Sequence, residues 1–255
     1  MSDARIVEEF YLPSQGKIYE GVEVDPSGLV SSMKARHEML RLSITDGSHK
    51  LMAEILDDCI ESNLGISAYD LCLGDYQYLL FKLRIVTFGN EYTLRGKCPF
   101  CGFEQSVKVD LDKLENNEYT EEYEKLKSVY LPSSEQTVTL TYQTPRMLDR
   151  IQTKVKEYRR RHESSDENPI LLFNIMSCIT EIDGEAPNRV FLEDWVKDLP
   201  LSDALLIINH IDEMNNAIGT NLVYPTDCKI CGTEYYVPFR INETFFRPNS
   251  RWSWI

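Results

Sequence analysis

The feature that most constrains this chain is a short pattern that occurs twice, Cys98-Pro99-Phe100-Cys101-Gly102 and Cys228-Lys229-Ile230-Cys231-Gly232. Each C-x-x-C-G lies between two runs that read as strands: 91–97 and 105–111 around the first, 221–224 and 235–241 around the second. Each therefore reads as the tip of a β-hairpin presenting two thiols. Four thiolates complete the tetrahedral shell of a structural zinc ion and leave no position for water or substrate. The glycine after each second cysteine suits the tight turn by which backbone amides approach sulfur. A redox pair, the rival reading, opens a helix after a strand, where the thiol pKa is lowered; both pairs here sit between strands. Plain core cysteines, the other alternative, do not account for the same hairpin twice.

The spacing is unusual, because 126 residues lie between Cys101 and Cys228, where a compact zinc ribbon has roughly 15–20. Loop closure grows only logarithmically with length, so the long loop adds about 2 kcal/mol. Apparent zinc binding supplies roughly 10–16 kcal/mol. The expected ligands of one zinc per chain are thus Cys98, Cys101, Cys228 and Cys231. The predicted fold class is mixed α+β: helical segments around a split four-cysteine, zinc-ribbon-like pair of β-hairpins.

Four segments follow. Residues 1–24 read as an extended N-terminal arm or hairpin, with a Pro13-Ser14-Gln15-Gly16 turn between 7–12 and 17–24. Residues 25–111 read as a helical segment plus the first zinc hairpin, with helices at 32–42, from a Ser48 cap through Ile60, and from an Asp75 cap to Gly89. Residues 112–200 form an inserted, mostly helical region. It begins with a short acidic helix around Glu121, Glu122 and Glu124 and a strand at 137–142. A helix capped by Thr144 with Pro145 in its first turn runs through Arg161, and further helices are expected at 169–182 and 191–199. Residues 201–255 hold a helix capped by Ser202 and ending near Gly219, the second zinc hairpin and an aromatic tail. The order of helix, glycine, then cysteine hairpin occurs twice, the pattern a divergent duplication would leave.

Charge bears on function class. The chain carries a net charge of −14, whereas a nucleic-acid binder needs a basic face to replace phosphate counterions. Residues near the knuckles (Arg95, Lys97, Glu104, Lys108, Asp110) are mixed in sign. The basic run Arg159-Arg160-Arg161-His162 falls at a predicted helix C-terminus, where positive charge is favourable for its own reason. A zinc-ribbon nucleic-acid-binding or transcription-associated factor stands as the alternative class, to be revived by a contiguous basic face. No run of 18 apolar residues is present to span a membrane, and the first residues lack the basic and apolar regions of a secretory leader. With seven cysteines, the expectation is a reducing cytosol, with Cys59, Cys72 and Cys178 in the core. The four histidines fall in no H-E-x-x-H, and no nucleophile elbow or phosphate loop occurs; no enzyme is expected.

Three sets of residues carry a family likeness: Leu12-Pro13-Ser14-Gln15-Gly16-Lys17-Ile18-Tyr19; Asp70-Leu71 with Asp75, Leu83-Arg84 and Phe88-Gly89; and the two cysteine knuckles. On these the chain resembles the baseplate hub subunits and hub-assembly proteins of contractile-tailed bacteriophages of the T-even type. The resemblance implies a non-enzymatic structural or assembly protein, made in the host cytoplasm and working by binding other baseplate or tail proteins, with room for an oligomer within that assembly. Extended ends with buried aromatic anchors suit such binding. The expected partner-binding residues are Phe10 and Tyr11 near the start and Trp252 and Trp254 in the tail, with Phe245 and Phe246 available to cover the chain's own core.

Overall fold

A computed structural model describes residues 6–43, 48–162, 168–241 and 245–246. Two strands, β1 (Val7–Tyr11) and β2 (Ser27–Ser31), precede three helices, α1 (Ala35–Leu42), α2 (His49–Cys59) and α3 (Leu73–Phe88). The first cysteine hairpin is β3 (Glu91–Lys97) with β4 (Glu104–Asp110). There follow β5 (Asn116–Asn117), α4 (Glu122–Leu126), β6 (Ser128–Leu131), β7 (Gln136–Leu140), α5 (Pro145–Arg161), α6 (Ile170–Cys178), β8 (Ile179–Ile182) and α7 (Arg189–Asp198). Helix α8 (Leu201–Asn216) leads through β9 (Gly219–Thr220) into the second cysteine hairpin, β10 (Val223–Asp227) with β11 (Glu234–Pro238). Among the described residues this is the expected mixed α+β fold, with eight α-helices and small antiparallel sheets.

Helix α3 is the spine. Buried residues occur on every side of it, from Leu73 and Tyr76 to Arg84 and Val86, the pattern of a helix enclosed by its own protein. Its N-cap is the Cys72 thiol, which accepts from the Asp75 amide, so Asp75 is not the cap that sequence suggested. Its carboxylate points into the core, where it accepts from the Ser14 amide (3.0 Å), the Ser14 hydroxyl and the Tyr19 hydroxyl (2.6 Å). A buried carboxylate needs such donors, and these bind the segment from Leu12 to Tyr19 onto α3. The first strand therefore pairs not with residues after the Pro13 turn but with β2, Phe10 lying opposite Gly28.

The other end of α3 is tied by Arg84, which is 1% exposed. Its guanidinium donates to the carbonyls of Phe245 (2.9 Å) and Gly89 (2.7 Å) and lies over the rings of Phe88 and Tyr92. Neutral carbonyls and ring faces thus solvate a buried cation. The root of the first hairpin and the C-terminal Phe245 meet there. Gly74 abuts the other half of the chain: a Cβ on it would lie 2.1 Å from the Ile218 carbonyl oxygen.

Two capping expectations change in the same way. Ser48 makes no side-chain cap on α2; Asp149 of α5 does so, accepting from the amides of His49 and Lys50, both at 3.0 Å. Ser202 does not cap α8, whose N-cap is Pro200. Next to it, Asp203 accepts from the amide (2.8 Å) and hydroxyl (2.7 Å) of Ser134. Thr144 caps α5 as expected, with Pro145 in the first turn. The apolar run 169–182 does not stay helical throughout. It ends as helix at Cys178, and Ile179–Ile182 joins β6 and β7 as the third strand of a sheet. β-branched Ile179, Thr180 and Ile182 suit that strand.

Candidate metal centre

The two knuckles share one backbone turn. In the first, the Cys98 amide donates to the Phe103 carbonyl (2.9 Å) and the Gly102 amide to the Cys98 carbonyl (2.9 Å). In the second, the Cys228 amide donates to Thr233 (3.0 Å) and the Gly232 amide to Cys228 (2.8 Å). Gly102 (φ 76°) and Gly232 (φ 70°) supply the left-handed residue that each turn requires.

The hairpins bring all four sulfurs together. Cys98 Sγ lies 3.7 Å from Cys231 Sγ, and Cys101 Sγ lies 3.5 Å from Cys228 Sγ. The four ligand atoms fall within 4.8 Å of one another. The first cysteine of each knuckle thus faces the second of the other, a crossed arrangement with approximate two-fold character. Metal–sulfur bonds of about 2.3 Å at tetrahedral angles imply sulfur–sulfur edges of about 3.8 Å, so the group has the dimensions to hold one metal ion. Cys98 and Cys228 are buried, while Cys101 and Cys231 reach the surface.

Electrostatics point the same way. The Thr233 hydroxyl, then the Thr233 amide, bring Cys231 down to about 6, and the Cys231 amide leads the causes that lower Cys228. The Phe103 amide favours the Cys101 thiolate, but desolvation and the three neighbouring sulfurs push that thiol up to about 12. Amide donors in the turns favour the Cys228 and Cys231 thiolates, while the sulfurs crowded around Cys101 oppose its ionisation. A cation among them removes that conflict.

Gln105 of β4 joins the hairpins. Its Nε2 donates to the Asp227 carbonyl (2.8 Å) and its Oε1 accepts from the Lys229 amide (3.0 Å). Gly96 allows close packing, since a Cβ there would lie 2.6 Å from Val237 Cγ2. Tyr235 of β11 is 5% exposed, and its hydroxyl has no hydrogen-bond partner among the described residues. Burial, then the sulfurs of Cys98 and Cys228, raise its pKa, so the phenol keeps its proton. Sequence reading passed over both Gln105 and Tyr235. The available signal was a buried-phase polar residue on each cysteine hairpin, visible only once strand alternation is assigned.

Cys59 lies 3.4 Å from His37 Nδ1, whose Nε2 lies 2.6 Å from Asp58. This is not a nucleophile and base. The Lys34 amide donates to Nδ1 (3.0 Å), occupying the lone pair a base would need. Cys59 is fully buried, and that burial pushes its thiol up to about 12.

Of the expected partner residues, Phe10 is 5% exposed and packs in the chain's own core, whereas Tyr11 is 55% exposed. Trp252 and Trp254 lie outside the described residues. Phe245 and Phe246 are buried, with Phe245 edge-on to Phe81 and Tyr92.

A family model described as T4 bacteriophage base plate protein matches residues 31–247. No curated protein and no solved structure matches the chain.

Proposed function

This chain belongs to the T4 bacteriophage base plate protein family, and from that premise we propose that it is a structural or assembly protein of the tail baseplate hub, built around one structural zinc and acting by protein–protein binding. The observation that carries the reading is the four-sulfur group formed by hairpins 126 residues apart. An all-cysteine shell is closed to substrate, and its binding energy goes into fixing the fold. In this reading the ion is zinc, held by Cys98, Cys101, Cys228 and Cys231, and the protein is not an enzyme.

Partner binding is assigned to the ends. Among the described strands β1 pairs only with β2, so its outer edge is read as the place for strand addition, next to exposed Tyr11, whose own backbone is taken by the Tyr78 hydroxyl. Trp252 and Trp254 supply aromatic anchors from the tail. No described helix is long and apolar enough to cross a membrane. Arg159, Arg160 and Arg161 occupy the last turn of α5, where the helix dipole receives them, so they give little support to nucleic-acid binding. The protein is accordingly read as made in the host cytoplasm and placed in the virion baseplate if retained.

Two measurements test this. Elemental analysis of the purified chain is expected to give one zinc, and a metal-free chain would refute the centre. Deletion of residues 248–255 is expected to leave a folded, zinc-loaded protein that no longer enters baseplate assemblies in infected-cell extracts. Normal assembly of the truncated chain, or its failure to fold, would refute the docking role of the tail.

A further inference from the structure

We infer that Tyr235 is the outer hydrogen-bond donor of the metal centre, its buried hydroxyl held for a metal-bound thiolate of the Cys98 and Cys228 side. The inference rests on the reading that the four cysteines hold a metal ion.

Strand β11 alternates between exposed and buried positions, with Tyr235 and Val237 facing inward. Tyr235 stands opposite Thr226 of the same hairpin and reaches across to the other, where its hydroxyl lies 3.2 Å from the place a Cβ on Gly96 would take. Gly96 is two residues before Cys98, and Thr226 two before Cys228. The ring therefore sits between the two chain segments that enter the knuckles.

A buried phenol without a partner is a standing cost that phenylalanine, of the same shape, would not carry. The Gln105 amide stands beside it but is held by its bonds to Asp227 and Lys229, and the hydroxyl completes no hydrogen bond to it. A protonated thiol is a weak acceptor. A thiolate bound to a cation keeps its negative charge and accepts well, and such outer donors orient ligands and tune the metal. The hydroxyl is thus unsatisfied in the thiol form and satisfied in the loaded form, which couples it to metal uptake.

The test is Tyr235→Phe in the full chain, with zinc affinity read by competition against a chromophoric chelator. Zinc binding is expected to weaken about tenfold, while thermal unfolding of the metal-free variant is unchanged or raised. The cobalt(II)-loaded variant is expected to show its sulfur-to-metal charge-transfer band shifted to longer wavelength, because the thiolate loses a hydrogen bond. Unchanged affinity and an unmoved band would overturn the inference, as would equal loss of stability with and without metal, the signature of packing alone. A wild-type chain that takes up neither zinc nor cobalt would instead refute the four-cysteine reading on which the inference stands.

Discussion

Gln105 offers the sharpest test of how the centre is assembled, because its carboxamide bridges the hairpins and Gln105→Met keeps its length while removing both hydrogen bonds. The bonds measure 2.8 and 3.0 Å and join neutral groups, for which about 1 kcal/mol each is the usual net value. Asp227 and Lys229 are exposed, so water can take over the freed backbone groups and no larger burial penalty is added. The loss is therefore about 2 kcal/mol. If it falls wholly on the loaded state, zinc affinity drops roughly 30-fold, at 1.4 kcal/mol per decade. If part falls on the metal-free fold, the urea midpoint of that form moves and the affinity loss shrinks correspondingly. Chelator competition and urea unfolding of the metal-free chain together measure the whole. Zinc affinity within twofold of wild type, with an unmoved urea midpoint, would refute the claim that this side chain holds the second knuckle in place.

Two further substitutions test the frame that positions the hairpins. Asp149→Ala removes the carboxylate that caps α2 and also binds the His49 imidazole (2.8 Å) and Tyr69 hydroxyl (3.0 Å); a loss of about 3 kcal/mol is expected, or roughly 6–12 °C in thermal unfolding. Burial acts to raise the pKa of Asp149, but its hydrogen bonds outweigh that and hold it below the usual carboxylate value. Its contribution is therefore complete above the unfolded pKa of about 3.9 and disappears as pH falls through the lower folded value, so a stability gap between variant and wild type that persists unchanged at pH 2 would contradict the assignment. Gly74→Ala sets a methyl against the Ile218 carbonyl, 2.1 Å away, and since both sides are backbone, a loss of about 3 kcal/mol or more is expected in urea unfolding; an unaffected variant would show that α3 and β9 are not in contact.

What the sequence determined by itself was local and periodic. Both cysteine hairpins, the strands beside them and the helix from Thr144 and Pro145 could be read directly, because two-residue alternation, glycine turns and caps are short-range properties of the chain. The four-cysteine group was legible for the same reason, since a C-x-x-C-G occurring twice needs no long-range information to be paired with itself. Tertiary structure decided everything that depends on distant neighbours. Ser48 and Ser202 are good caps in isolation, yet Asp149, about a hundred residues away, supplies the α2 cap, and Asp203 is drawn to the turn before β7. Ile179–Ile182 continues an apolar run that reads as helix, but the open edge of β7 offers its backbone a better set of partners. Asp75 reads as a helix cap and is instead the buried anchor for Ser14 and Tyr19. In each case the sequence names a donor or acceptor, and only the fold determines which partner is near enough to be worth more than water.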